Sequence, residues 1–194
     1  MKKVFIIHGF GGIPNGGWTS WLMVELSKSK IYTCALPMPN PKKPIVLEWI
    51  KEIDQAVNNA PEDEIFLVGH SLGATAILKY LESTKDSKKI SGVVLVSGLI
   101  NSLEPENQTS KYRLIDSFVI PPIDLEKVKN KANKFVVLHS TDDPAVPFEN
   151  AEKISSGLNC ELVKVEKGGH FFILSEPICY ELPILLEIIL KVIK

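Results

Sequence analysis

The sequence predicts an α/β protein: a doubly wound, mostly parallel sheet of about six strands with helices on both faces. Two patterns carry this expectation. Short apolar runs alternate with longer amphipathic stretches along the whole chain. Most of those runs are continuous rather than alternating, as in strands covered on both sides. The 194 residues, 45% hydrophobic and 23% charged, suit one domain over 1–194, with a core large enough to need no disulfide or metal.

Val4–Ile7 reads as the first strand, and the glycine-rich His8–Gly12 ends it. Trp18–Ser29 follows as an amphipathic helix, then Tyr32–Leu36 as the second strand. Pro37, Pro39, Pro41 and Pro44 predict a stiff, extended loop. Ile45–Asn58 is helical, Ile65–Val68 a strand, Leu72–Ser83 a helix and Val93–Val96 a strand. From Gly98 to about Lys134 the rhythm breaks. Apolar residues interrupted by Pro121-Pro122 make 99–133 a small lid or cap insertion, or a place for extra helix. Tyr112 and Phe118 there are candidates to face a substrate. Leu125–Lys131 is amphipathic, Phe135–Leu138 a strand, Phe148–Gly157 a helix and Leu162–Val165 the last strand. Glu181–Ile193 closes the chain as a helix with Pro183 in its first turn, where proline is tolerated.

The formal net charge of −1 and the lack of long like-charge blocks exclude an electrostatic footprint for nucleic acid. Arg113 is the only arginine, so a guanidinium clamp for anionic substrates has one source. Cys34, Cys160 and Cys179 are odd in number and far apart, form no metal spacing, and fit a reducing, cytoplasmic setting. The apolar run after Met1-Lys2-Lys3 is too short for a signal peptide, and no apolar run of about 18 residues predicts a membrane span.

Gly69-His70-Ser71-Leu72-Gly73 is the sharpest motif. It is G-x-S-x-G between a strand and a helix, the setting of a nucleophile elbow. Side chains two positions either side of the serine would clash in so tight a turn. The turn lifts the hydroxyl to a helix N-terminus, which favours developing negative charge. A serine needs a base, and in this arrangement the order is Ser, acid, His. Of the histidines after Ser71, His170 lies in Lys167-Gly168-Gly169-His170 beyond the last strand, where glycines let the loop bend back. His139 ends a strand and reads as a packed or hydrogen-bonded core residue. The acid belongs after Phe135–Leu138, where Asp142 and Asp143 stand. Asp143 precedes Pro144 and is held stiffly, whereas Asp142 reads as a turn residue bonding nearby amides. The site expected is therefore Ser71 as nucleophile, His170 as base and Asp143 as orienting acid. The backbone amides of Phe10 and Leu72 form the oxyanion hole. The glycines of the first loop do not complete a dinucleotide or P-loop fingerprint. Trp18 and Trp21 read as packing residues, with one of them free to wall the acyl pocket, and Trp49 as packing.

These motifs resemble, in order, those of the small serine hydrolases of the retinoblastoma-binding-protein-9 and bacterial YdeN type. The residues are His8-Gly9-Phe10-Gly11-Gly12, Trp18, Trp21-Leu22, Leu36-Pro37, Val68 to Ala74, Ser140 to Pro147 and Gly168-Gly169-His170-Phe171. The resemblance covers nearly the whole chain. It implies an α/β-hydrolase fold of six parallel strands with minimal cap, and esterase-like or small-peptidase-like activity. By position it assigns the triad to Ser71, Asp143 and His170. It does not bring retinoblastoma binding, since Leu158-Asn159-Cys160-Glu161 falls one residue short of L-x-C-x-E. The expected function is hydrolysis of a small ester, thioester or amide through an acyl-serine, carboxylesterase-like, with no cofactor and no metal. The expected partner is a small-molecule acyl substrate. Two rival readings are a non-catalytic interaction module on the same fold, and acyl transfer by the same residues.

Overall fold

A computed structural model describes residues 1–61, 63–84, 90–103, 110–172 and 179–194, with backbone alone for 110–112. Six strands are present: β1 (Lys2–Ile7), β2 (Tyr32–Ala35), β3 (Glu64–His70), β4 (Gly92–Val96), β5 (Phe135–Ser140) and β6 (Glu161–Val165). They form one sheet in the order β2-β1-β3-β4-β5-β6, every pair parallel. The helices between them are α1 (Thr19–Lys28), α2 (Val46–Asn58), α3 (Leu72–Ser83), α4 (Ser110–Val119), α5 (Leu125–Val128), α6 (Glu149–Leu158) and α7 (Pro183–Ile193).

The continuous apolar runs are explained by two cores, one on each face. Phe5, Ile7, Ile65, Leu67, Val93, Leu95, Phe135 and Val137 point to one face, under α2, α3 and α6. Their neighbours Val4, Ile6, Phe66, Val68, Val94, Val96, Val136 and Leu138 point to the other, under α1 and α7. A strand with period-two side chains and both faces covered must be apolar at every position. This is the α/β-hydrolase fold that the motifs imply.

The break after β4 holds α4 and α5. Ile115, Phe118 and Val119 of α4 are buried against the α3 side of the core. Phe118 does not face a substrate, contrary to the sequence expectation. It is fully buried and meets the edge of Trp49, with ring centroids 5.5 Å apart. Being apolar at a helical spacing from Ile115, it follows the core-facing stripe of its helix. The side chain of Tyr112 lies outside the described residues. Leu125–Lys131 keeps its helical start but stops at Val128.

The strand order reverses between β1 and β3, since the chain passes from β1 outward to β2 and then back across. In open α/β sheets such a switch point opens a crevice at the carboxyl ends of the strands. The loop after β1 and the turn after β3 both lie there.

Candidate active site

The β3–α3 turn is built by exclusion. A Cβ on Gly69 would lie 2.6 Å from the Ala74 backbone, and one on Gly73 would lie 2.2 Å from the Ile7 carbonyl oxygen. Neither clash is with a movable side chain. Between them Ser71 adopts φ 54° and ψ −124°, in the left-handed half of the map that a serine rarely occupies. The Ser71 N–H is tied to the Val96 carbonyl at 2.8 Å, which holds the strained residue over the sheet edge.

Asp143, His170 and Ser71 form a continuous chain of hydrogen bonds. His170 Nε2 is 2.9 Å from Ser71 Oγ. His170 Nδ1 is 2.8 Å from Asp143 Oδ2 and 3.0 Å from Oδ1. An ionised carboxylate only accepts, so Nδ1 carries the proton and Nε2 presents its lone pair to the serine hydroxyl. The Asp143 side chain is fully buried, while that of His170 keeps 15% of its surface in solvent. Burial alone would raise the Asp143 carboxyl. Contacts with His139 and His170 and the Val146 N–H outweigh it and hold the group well below the usual carboxylate range. Asp143 Oδ1 also accepts from the Ala145 and Val146 amides at 2.8 and 2.9 Å, which fixes the carboxylate in plane.

Asp142 does bond backbone amides, as a turn residue would, but they belong to a distant loop. Its Oδ1 accepts from Gly168 N at 3.1 Å and Gly169 N at 2.9 Å, and from the Ser140 hydroxyl. These bonds hold its carboxyl below the ordinary value, led by the Ser140 contact. Asp142 thus ties the acid loop to the glycine-rich loop that carries His170.

Two further histidines touch this arrangement: His139 is the core residue its place at a strand end predicts, but neither contact below is legible in the sequence. His139 is fully buried, with Nε2 3.0 Å from the Val146 carbonyl and 3.4 Å from Asp143 Oδ2. Its Nδ1 has no hydrogen-bond partner among the described residues, so the proton belongs on Nε2, between the two oxygens. His70 places Nε2 2.8 Å from the His170 carbonyl oxygen. Its ring stacks against Phe172 and meets the edge of Trp18. Burial lowers its pKa to about 3, so it is neutral and donates from Nε2. Trp18 is therefore a wall behind His70 rather than behind an acyl group, and its Nε1 donates to the Phe171 carbonyl at 2.9 Å. His70 and Trp18 together pin the two carbonyls at the turn that delivers His170.

Ser71 and His170 open on a cavity of about 270 Å³. Gly9, Phe10 and Gly12 border it on the β1 side and Leu72 on the helix side. Leu99, Leu103, Ile115, Pro144, Val146 and Phe172 supply its apolar walls. Among the described residues that line it there is no Lys, Arg, Asp or Glu. Trp21 and Trp49 do not border it, and no described group of side chains has the make-up of a metal site.

A strained serine between a parallel strand and a helix, on an α/β-hydrolase sheet, defines a serine hydrolase in class. Residues 4–177 match the family model described as Serine hydrolase, and the chain belongs to that family. It is 32% identical over 184 residues to YdeN of Bacillus subtilis (strain 168), covering 93% of each protein. It is 26% identical over 172 residues to serine hydrolase RBBP9 of Rattus norvegicus, covering 87% of each. The crystal structure of the ydeN gene product from B. subtilis superposes with a TM-score of 0.89 at 30% identity, over 100% of this chain and 99% of that one. Est1E from Butyrivibrio proteoclasticus shares the fold, with a TM-score of 0.73 at 19% identity over 99% of this chain and 88% of that one.

Proposed function

We propose that the protein hydrolyses small, neutral esters of apolar acyl groups through an acyl-Ser71 intermediate. The observation that carries this is the unbroken hydrogen-bond chain from Asp143 through His170 to Ser71 Oγ at the cavity floor. Ser71 Oγ attacks the ester carbonyl carbon while its proton passes to His170 Nε2. Asp143 keeps the proton on Nδ1 and stabilises the imidazolium without accepting it. The Phe10 and Leu72 amides receive the oxyanion. His170 returns the proton to the leaving alkoxide, and the acyl–oxygen bond to the alcohol breaks. Water then attacks the acyl-serine with His170 again as base, releasing the carboxylic acid. No step calls for a metal or an organic cofactor.

The cavity walls support the substrate class. Leu99, Leu103, Ile115 and Val146 reward apolar burial by about 25 cal/mol per Å². A carboxylate or ammonium would enter without a countercharge among the described lining residues. Leu103 and Ile115 line this cavity, which supports the reading of 99–133 as its small lid. Three free cysteines suit a cytoplasmic setting. No helix among the described residues is long and apolar enough to cross a membrane.

The test is a panel of p-nitrophenyl esters run on the wild type and Ser71→Ala together. Turnover of neutral short and medium acyl esters, lost in Ser71→Ala, is expected. Loss should also follow when the acyl chain ends in a carboxylate. Equal turnover by both proteins would refute the reading.

A further inference from the structure

The geometry points to His8 as the positioning residue that sets the direction of the Phe10 amide in the oxyanion hole. This rests on the hydrolase reading, and on Phe10 serving that hole. His8 Nδ1 lies 2.9 Å from the carbonyl oxygen of Gly9. The same oxygen accepts from the Gly12 N–H at 3.1 Å. A carbonyl has two lone pairs and no donor, so both are engaged and His8 carries its proton on Nδ1.

The Gly9 carbonyl and the Phe10 N–H are two ends of one peptide plane. The only cis peptide among the described residues is Ile120-Pro121, so the Gly9–Phe10 unit is trans and its N–H points away from its carbonyl. Clasping the oxygen from behind therefore aims the N–H. Gly9 itself packs against the nucleophile: a Cβ there would lie 2.9 Å from Ser71 Cβ and 3.4 Å from Ser71 Oγ, so this peptide starts beside the reacting serine. Without the clasp, a flipped plane would turn a carbonyl oxygen toward the developing oxyanion. The flip is easy in a stretch with glycine at 9, 11 and 12.

The glycines distinguish the clasp from general looseness. Gly11 takes φ +66° with open space around it, so it is there for the turn. Gly12 has no positive φ. A Cβ there would lie 2.9 Å from His8 Nδ1 and 3.0 Å from the Gly9 oxygen, so it is the clasp itself that excludes a side chain.

The proline-rich loop after β2 buttresses this from behind. Gly11 N donates to the Pro41 carbonyl at 2.7 Å. Trp49 Nε1 donates to the Pro39 carbonyl at 2.7 Å, and the Trp49 ring meets the His8 ring edge-on at 5.7 Å. Prolines at 39, 41 and 44 stiffen the loop that presents these carbonyls, since the φ of each is fixed.

The experiment compares His8→Leu, which fills the space without a donor, with His8→Asn, whose Nδ2 reaches the position of His Nδ1. Three readings are taken on folded protein: kcat and KM for a short p-nitrophenyl ester, the Ki of a trifluoromethyl ketone that binds as its hemiketal oxyanion, and the pH profile. The Leu variant should lose about 10²–10³-fold in kcat, the scale of one oxyanion donor. Its KM and pH limb should stay as in the wild type, and the ketone should weaken in step with kcat. The Asn variant should recover most of both. Nitrogen NMR of the wild type should show His8 protonated at Nδ1 and bare at Nε2, a reading that stands even if the Leu variant does not fold. Retained kcat and ketone affinity in His8→Leu, equal damage in both variants, or an Nε2–H tautomer would each overturn the inference. Those results arise with an active wild type. A wild type that neither turns over esters nor reacts with a fluorophosphonate would bring down the hydrolase reading first, and this inference with it.

Discussion

Asp142 and Asp143 are adjacent in sequence and serve opposite ends of one loop junction. Asp143 faces His170 Nδ1 from full burial, whereas Asp142 holds the amides of Gly168 and Gly169. Asp143→Asn puts an amide where an acceptor-only carboxylate fixed the tautomer, and kcat should fall on the order of 10⁴-fold. Asp142→Ala should act through position alone. Losing its bonds to the histidine loop should lower kcat by up to roughly 10²-fold, the cost of an ångström of misplacement, with the pH profile unchanged. Asp142→Asn keeps an acceptor oxygen and should cost less than Asp142→Ala. Parallel kcat measurements on the three variants decide this, and a larger loss in Asp142→Asn than in Asp143→Asn would reverse the assignment. At this scale the sequence was informative where a backbone constraint marks a residue: Asp143 before Pro144, His170 after two glycines. It marked His139 as a core residue without showing its partners, and it did not show the bonds of His8 and His70. The His70 partner is a carbonyl brought close by folding, while those of His8 and His139 are local in the chain, and in either case no residue type signals a carbonyl that waits for a donor.

The β3–α3 elbow is the element where local strain falls on the proposed nucleophile. Ser71 sits at φ 54°, which costs a serine of order 1–3 kcal/mol. Glycine does not bear that cost. Ser71→Gly should therefore be more stable than Ser71→Ala, by about 1 kcal/mol or more in denaturant unfolding, although both should be inactive. Equal stability would show that the turn is not strained. Gly73→Ala should behave differently. Its Cβ would meet the Ile7 and His8 carbonyl oxygens at 2.2 and 2.6 Å, both backbone atoms, so no rotamer offers relief. The variant should lose about 3 kcal/mol or fail to fold. The elbow, the helix α3 that follows it and the six strands were all legible, because each is written locally in glycine spacing or apolar runs. Helix α4 was expected only as extra helix somewhere in the break, without bounds. Its apolar residues keep a helical spacing, but they fall inside a long break with proline on its far side, where few turns mark its ends. The proline loop was legible as stiff but not as a support, since its acceptors meet Gly11 and Trp49 from elsewhere in the chain.

At the scale of the whole molecule, buried neutral histidines make stability depend on pH. His70 is pushed down to about 3 by burial, so below the ordinary histidine value near ~6.5 the unfolded chain binds a proton that the native state refuses. Stability is then complete above ~6.5 and falls as the pH drops toward about 3, by about 1.4 kcal/mol per pH unit from this residue. Burial shifts His8 the same way and adds to the slope. His70→Gln keeps an amide donor for the His170 carbonyl but does not titrate, and urea unfolding at a series of pH values should show a shallower acid slope for it. An unchanged slope would place the acid sensitivity elsewhere.

The sheet holds these parts in register: the loops after β1, β3, β5 and β6 meet at one edge, and Ser71 is the point where they converge. The most direct test of that convergence is covalent. A fluorophosphonate, added at neutral pH and followed by intact-mass spectrometry and peptide mapping, should add one phosphonyl group to the wild type, on Ser71. Ser71→Ala should stay unmodified while it remains folded. A folded wild type that takes no label, or takes it on another serine, would contradict the account.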